Sequence, residues 1–345
     1  MTTETEEKKL GNEYGILQVI PCHKEDVRTV NSYPNGCLLT GSRDLSAKLY
    51  KPGDANNAHS ELIETQSFNG PRAFVSSICC GRTKAGELEI YVGSHDTNIY
   101  VYNASQSDPV TTMSRHSGAV SALAFRVCND QDVLISGGWD ETAVIWRDRI
   151  PEKSLIGHVH AVWSVAFVAR SFILTGGADK TIRKWNISDG QLLNIFEGHT
   201  DCVRGLAVIN GQQFLSCSND ATVVMWTIDG TILKTFEGHE NFIYDICLVR
   251  EPLKPGAEPP KTRPYHFVTV SEDKTVRVWD KESGCIQKIP LQATTLWSVT
   301  ALDNGNFVVG TSDGHAYVFS NVLSFSESTS TQPIDQSDPS TSKSS

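Results

Sequence analysis

The sequence predicts an all-β protein built as a ring of seven repeated four-stranded units, on three observations. The first is a fixed internal ruler, in which a short apolar segment ends in a small-residue turn with Asp and a β-rich segment then ends in an aromatic. Its clearest copies are SGGWDETAVIW, TGGADKTIRKW, SCSNDATVVMW and TVSEDKTVRVW. The second is recurrence, since the ruler's Asp returns seven times at a spacing near 40 residues. The third is a His ahead of most copies, four residues before an apolar position.

Residues 14 to 20, YGILQVI, read as a strand ahead of the first His. Unit one follows with His23, Thr40, Asp44 and Tyr50, and unit two puts Pro71 in the His position before Asp96 and Tyr102. Units three to six carry complete sets: His116, Ser136, Asp140 and Trp146; His158, Thr175, Asp179 and Trp185; His199, Ser216, Asp220 and Trp226; His239, Thr269, Asp273 and Trp279. In unit seven Gln292 replaces the His, Asp313 and Phe319 complete the ruler, and no further strand follows. The amino-terminal strand is therefore expected to complete unit seven, which removes a free sheet edge. Units of this size and number resemble WD40 repeats forming a seven-bladed β-propeller over about residues 14 to 320. Residues 1–13 and 321–345 are expected to be disordered, the latter because 12 of the 22 residues from 324 are Ser or Thr and almost none is apolar.

Composition excludes several function classes. The 30 Lys and Arg against 40 Asp and Glu leave a charge of −10, with no basic run to release counterions, so no nucleic-acid partner is expected. No stretch reaches the roughly 20 apolar residues of a membrane span, and MTTETEEKKLGNEYG lacks a signal peptide's apolar core. A soluble intracellular protein is expected. Nine cysteines without a CxxC pair, most of them in apolar runs, read as buried reduced thiols, and the sequons at Asn103 and Asn186 then stay unmodified.

His, Ser and Asp recurring together invite a hydrolase reading. Repetition argues against it, because a catalyst needs one such set in one pocket, whereas here the set recurs under bulky Trp. In the structural reading, Asp accepts from the imidazole, the hydroxyl steadies the ring, and the set ties the turn between strands b and c to the loop leading into strand a. His158 and His160 lack a third ligand at metal spacing, and no phosphate-cradling or dinucleotide-binding glycine motif is present. No catalytic residue, metal or cofactor is expected.

The same geometry puts the d–a and b–c loops together on one face, the top. The long irregular pieces, residues 51 to 66, 81 to 89 and 251 to 264, fall on the other side and leave the top uncluttered. The ruler assigns to the top face the residue before each turn Asp, among them Arg43, His95, Trp139, Asn219 and Glu272. It adds the residue after each strand start, among them Arg28, Trp163, Arg204, Tyr244 and Trp297, and those before it, including Asp26, Phe74 and Phe242. Aromatics beside arginines are the composition of binding hot spots.

The segments HKEDVRTV, GSRDLSAKLY, GGWDETAVIW, HVHAVWSVAF, EGHTDCVRGLAV, NFIYDICL, TTLWSV and LDNGNFVVGTSDG together resemble the amino-terminal propeller of the phospholipase A-2-activating protein, or ubiquitin-fusion-degradation, family, in order through all seven blades. The resemblance implies a non-enzymatic module that binds ubiquitin on its top face and serves ubiquitin homeostasis and proteasomal turnover with the AAA-type segregase valosin-containing protein. Trp139, Trp163, Tyr244, Phe242 and Trp297 would cover an apolar patch while Asp26 and Glu272 pair with its basic rim. The family's segregase-binding helical domain is not legible in residues 324 to 345, so direct segregase binding by this chain is not expected. The alternative is a scaffold that takes a peptide, including a phosphorylated one, through Arg28, Arg43 and Arg204. Against it stands the placement of Arg204 in unit five, across the ring from the other two.

Overall fold

Alternation of short apolar runs with Asp turns produces seven four-stranded antiparallel sheets, each in the order a–b–c–d. The computed structural model describes residues 13–54, 57, 60–250 and 263–321. Both disordered ends expected above, apart from Glu13 and Asn321, lie outside the described residues, as does most of the loop 251 to 264. Blades one to six span 27–68, 75–114, 120–156, 162–196, 203–236 and 243–290.

Blade seven combines three carboxy-terminal strands with the amino-terminal strand Tyr14–Pro21, which pairs antiparallel with His315–Asn321 from Tyr14↔Asn321 to Pro21↔His315. The ring is thus closed by strands from both ends of the propeller, and the edge expected to be covered is covered.

Burial follows strand position. The b strands are runs such as Cys37–Ser42, buried at every residue as a central strand must be. The outer d strands are mostly exposed or half-buried, and Leu192–Phe196 keeps only its last residue fully buried. Seven apolar clusters sit between the blades, each drawn from two neighbours. Ile135 and Ile145 of blade three meet Ile173 and Trp185 of blade four, and Val308 and Val318 of blade seven meet Val27 and Leu38 of blade one.

Two loop expectations are corrected. The irregular piece after blade one is shorter than residues 51 to 66, because the c strand runs on to Pro52 and the d strand begins at Leu62, the two pairing Pro52↔Leu62. In blade two, strands reach Arg82 and resume at Leu88, pairing with each other, so residues 81 to 89 are mostly hairpin.

Candidate protein-binding face

The repeated polar set pins each turn. In blade three His116 Nδ1 lies 2.9 Å from Asp140, Nε2 lies 2.7 Å from Ser136 Oγ, and Trp146 Nε1 donates to that same Oγ at 2.8 Å. Blades four, five and six repeat this through His158, Thr175, Asp179 and Trp185, through His199, Ser216, Asp220 and Trp226, and through His239, Thr269, Asp273 and Trp279. An indole can only donate and a carboxylate can only accept, so a neutral imidazole fixes the chain's direction: Trp N–H to hydroxyl, hydroxyl to Nε2, Nδ1–H to Asp. The four hydroxyl residues are 0% exposed, which denies a substrate any approach to them.

Burial alone would raise these carboxyls. Hydrogen bonds from the His, a nearby hydroxyl and backbone N–H groups outweigh it and hold Asp44, Asp140, Asp179, Asp220 and Asp273 well below the usual carboxylate range. A fifth member escaped the ruler. The hydroxyls of Ser46, Thr142, Thr181, Thr222 and Thr275 donate to the Asp two residues earlier, and the spacing DLS, DET, DKT, DAT, DKT shows it in the sequence. Where Pro71 replaces the His, the pin survives: Arg72 N–H donates to Asp96 at 2.7 Å and the Tyr100 hydroxyl does so at 2.8 Å.

The pinned turns build the top face in register. In all seven blades the residue before the turn Asp donates its N–H to the carbonyl just ahead of strand a, as Arg43 does to Asp26, His95 to Phe74 and Glu272 to Phe242. The first residue of each strand a is followed by a bulge against strand b, between Val27 and Thr29, Val162 and Ser164, Val203 and Gly205, Ile243 and Asp245, Leu296 and Ser298, and likewise in blades two and three. The extra residue is Arg28, Trp163, Arg204, Tyr244 or Trp297 in those five. A bulge re-aims a side chain, and each of these lines the axial channel.

One unbroken belt results. The Arg43 guanidinium lies 4.9 Å over Phe74, Phe74 is 5.5 Å from His95, His95 4.8 Å from Trp139, and Trp139 5.5 Å from Trp163. Arg204 then lies 4.1 Å over Trp163 and 5.5 Å over Tyr244. Tyr244 is 6.4 Å from Phe242 and 4.7 Å from Trp297, and Arg28 closes the ring 3.6 Å over Trp297. Every blade contributes.

The predicted aromatics divide into two levels. Trp139 (46% exposed), Phe242 and Phe74 stand exposed above, while Trp163, Tyr244 and Trp297 sit half-buried at the channel mouth. Asp26 is engaged with Arg43 at 3.6 Å rather than free, and Glu272 faces Tyr244, whose hydroxyl is pushed up by burial and then by that carboxylate. Burial lowers Arg28 to about 10, with Asp26 opposing and Arg43 and Arg204 adding to it, so it stays charged at neutral pH. Arg204, placed across the ring in blade five, lines the same channel as Arg28. Burial, then Arg28 and Arg43, lower His95, which favours its neutral form.

Among the described residues no three His, Cys, Asp or Glu side chains are placed to hold a metal ion, and no helix is long and apolar enough to cross a membrane. What fold and face define is a propeller of pinned WD-type blades whose top carries an aromatic and cationic ring. The WD domain, G-beta repeat model matches residues 15–51, 107–147, 149–186, 190–227 and 230–280, and the chain belongs to that family. Within it, the chain is 28% identical over 89% of its length to the ubiquitin fusion degradation protein 3 homolog of Caenorhabditis elegans. It is 34% identical over 68% of its length to Protein DOA1 of Saccharomyces cerevisiae and 30% identical over 89% to ubiquitin homeostasis protein lub1 of Schizosaccharomyces pombe. The chain spans 35%, 32% and 39% of these relatives, about a third of each. The crystal structure of the WD40 β-propeller domain of Doa1 superposes with a TM-score of 0.77 at 32% identity, covering 90% of this chain and 98% of that one. These relatives carry the names that the sequence resemblance implies.

Proposed function

We propose that the chain is a non-enzymatic ubiquitin-binding propeller that serves ubiquitin homeostasis and ubiquitin-dependent degradation in cytoplasm and nucleus. The continuous belt from Arg43 through Trp139 and Tyr244 to Arg28 carries this reading, and the names of the relatives support it. A compact apolar patch with a basic rim suits this surface: Trp139, Phe74 and Phe242 offer exposed apolar area, and Asp26 and Glu272 add negative charge beside it. The segregase valosin-containing protein belongs to the reading as a partner in the same pathway, not as a contact of this face.

Heteronuclear NMR of labelled ubiquitin tests it. Adding the protein shifts a contiguous set of ubiquitin resonances, and Trp139→Ala weakens binding by roughly tenfold or more, the usual effect of removing a hot-spot aromatic. Asp26→Arg also weakens it by reversing charge at the rim. Absence of shifts with the intact protein overturns the proposal.

A further inference from the structure

We infer that the mouth of the axial channel binds a single carboxylate group at the end of an extended peptide inserted along the propeller axis. The site is formed by the half-buried members of the belt at the channel mouth, and the inference does not depend on the identity of a folded partner resting on the exposed members.

The bulged residues of all seven blades converge on one cavity of about 250 Å³. It exceeds the roughly 150 Å³ that accommodates a benzene molecule and is far too small for a folded element, so its occupant is a slender one. Donors dominate its walls. Arg28 forms no ion pair among the described residues, and Arg204 gives its Nε–H to Asn219 at 2.9 Å while its terminal nitrogens meet no carboxylate. The indole N–H groups of Trp163 and Trp297, each under one of these guanidiniums, have no acceptor.

The carboxylate side is already committed. Asp245 is the one carboxylate lining the cavity, and it accepts from the Ser298 hydroxyl at 2.8 Å and from the N–H groups of Val299 and Ile246 at 3.0 and 2.8 Å. Two unpaired guanidiniums and two orphaned donors therefore lack a negatively charged acceptor, and a buried donor left unmatched is costly. A planar monoanion fits the guanidinium forks. A phosphate dianion fits less well, because Asp245 below and Asp26 and Glu272 at the rim repel a second negative charge.

N-acetyl-triglycine, with one carboxylate and no other charge, is the probe. The indole ¹H–¹⁵N resonances of the seven tryptophans are followed during its titration, with Trp163→Phe and Trp297→Phe supplying the assignments. The acid shifts the Trp163 and Trp297 signals saturably, while Trp146, Trp185, Trp226 and Trp279, sealed in the repeated polar sets, stay still and report an intact fold in every variant. The carboxamide of the same peptide leaves all seven unmoved, and Arg28→Gln and Arg204→Gln each weaken the acid roughly tenfold. Equal response to acid and amide, or none at tens of millimolar, overturns the inference, as does tighter binding of a capped phosphoserine tripeptide. Since ubiquitin is absent from this titration, a negative result here leaves the belt's reading standing, and the reverse also holds.

Discussion

The residue after each turn Asp lies in the left-handed region in all seven blades: Leu45 at φ 71°, Thr97 at 74°, Glu141 at 67°, Lys180 at 70°, Ala221 at 65°, Lys274 at 64° and Gly314 at 82°. The Asp imposes this by accepting the N–H two residues on, as Asp140 does from Thr142 and Asp273 from Thr275, which curls the intervening residue backward. An L-residue pays about 1–2 kcal/mol there, and β-branched Thr97 is the least suited. Thr97→Gly recovers that cost less the about 0.4–1 kcal/mol of added unfolded-state freedom. The expected result is a gain of about 0.5–1 kcal/mol, read as a higher urea midpoint at constant slope. Gly314→Ala goes the other way, since its Cβ would lie 2.4 Å from the His23 carbonyl oxygen. A loss of about 2 kcal/mol is expected, and an unchanged midpoint would show that the loop yields. The Asp, His and Trp of this turn were legible in the sequence because they are invariant across four blades; the helper hydroxyl two residues on was equally visible but hid among ordinary strand residues.

Among elements, the amino-terminal strand carries a disproportionate share of closure. Ile20 and Cys22 join the cluster between blades seven and one, and Tyr14 joins the one between six and seven, its ring 5.1 Å from Phe307. Gln287 of blade six clasps the Tyr14 backbone by both its N–H and its carbonyl, at 2.9 and 2.8 Å. Tyr14→Ala is expected to cost about 3 kcal/mol, as truncation of a buried aromatic does. Removing residues 1–21 should also bare the His315–Asn321 strand edge and produce concentration-dependent association in sedimentation velocity. A monomer of unchanged stability would refute the closing role. This strand was legible as the complement of a blade that ends one strand short. The bulge that follows the first residue of strand a was not, because a register shift leaves no residue signature: the extra residue is Arg, Ser, Ser, Trp, Arg, Tyr and Trp in successive blades. Its position could be named from the ruler and its place near the axis expected from the crowding of strand starts there, but not the contacts it makes, which depend on how tightly seven blades close.

For the whole ring, each blade shares its core with both neighbours, so unfolding should be cooperative and its pH dependence should sum contributions from all blades. Three kinds of group set the sign. The five pinned Asp carboxyls lie well below the usual range, so the unfolded chain, titrating near 4, binds protons first on acidification, and the stability they supply above that pH is lost as pH falls further. Burial lowers His239 against the raising effect of Asp273, so the unfolded imidazole, titrating near 6.5, also binds its proton first, and stability starts to decline below that pH. Asp245 acts oppositely. Burial raises it to about 6, against the hydrogen bonds from Val299, Ser298 and Ile246. Between about 6 and 4 the folded state therefore binds the proton first, and stability rises as pH falls through that window. Between pH 7 and about 4 the groups oppose one another, His95 and His239 against Asp245, and below about 4 the five carboxyls act together and stability falls. Asp245→Asn removes the offset. Relative to the intact protein, the variant should lose roughly 1–2 kcal/mol as pH drops from 7 to 4.5, measured as urea midpoints across that range. Parallel curves for the two proteins would mean that Asp245 titrates as an ordinary carboxyl, and that the channel beneath the belt is wetter than its burial implies.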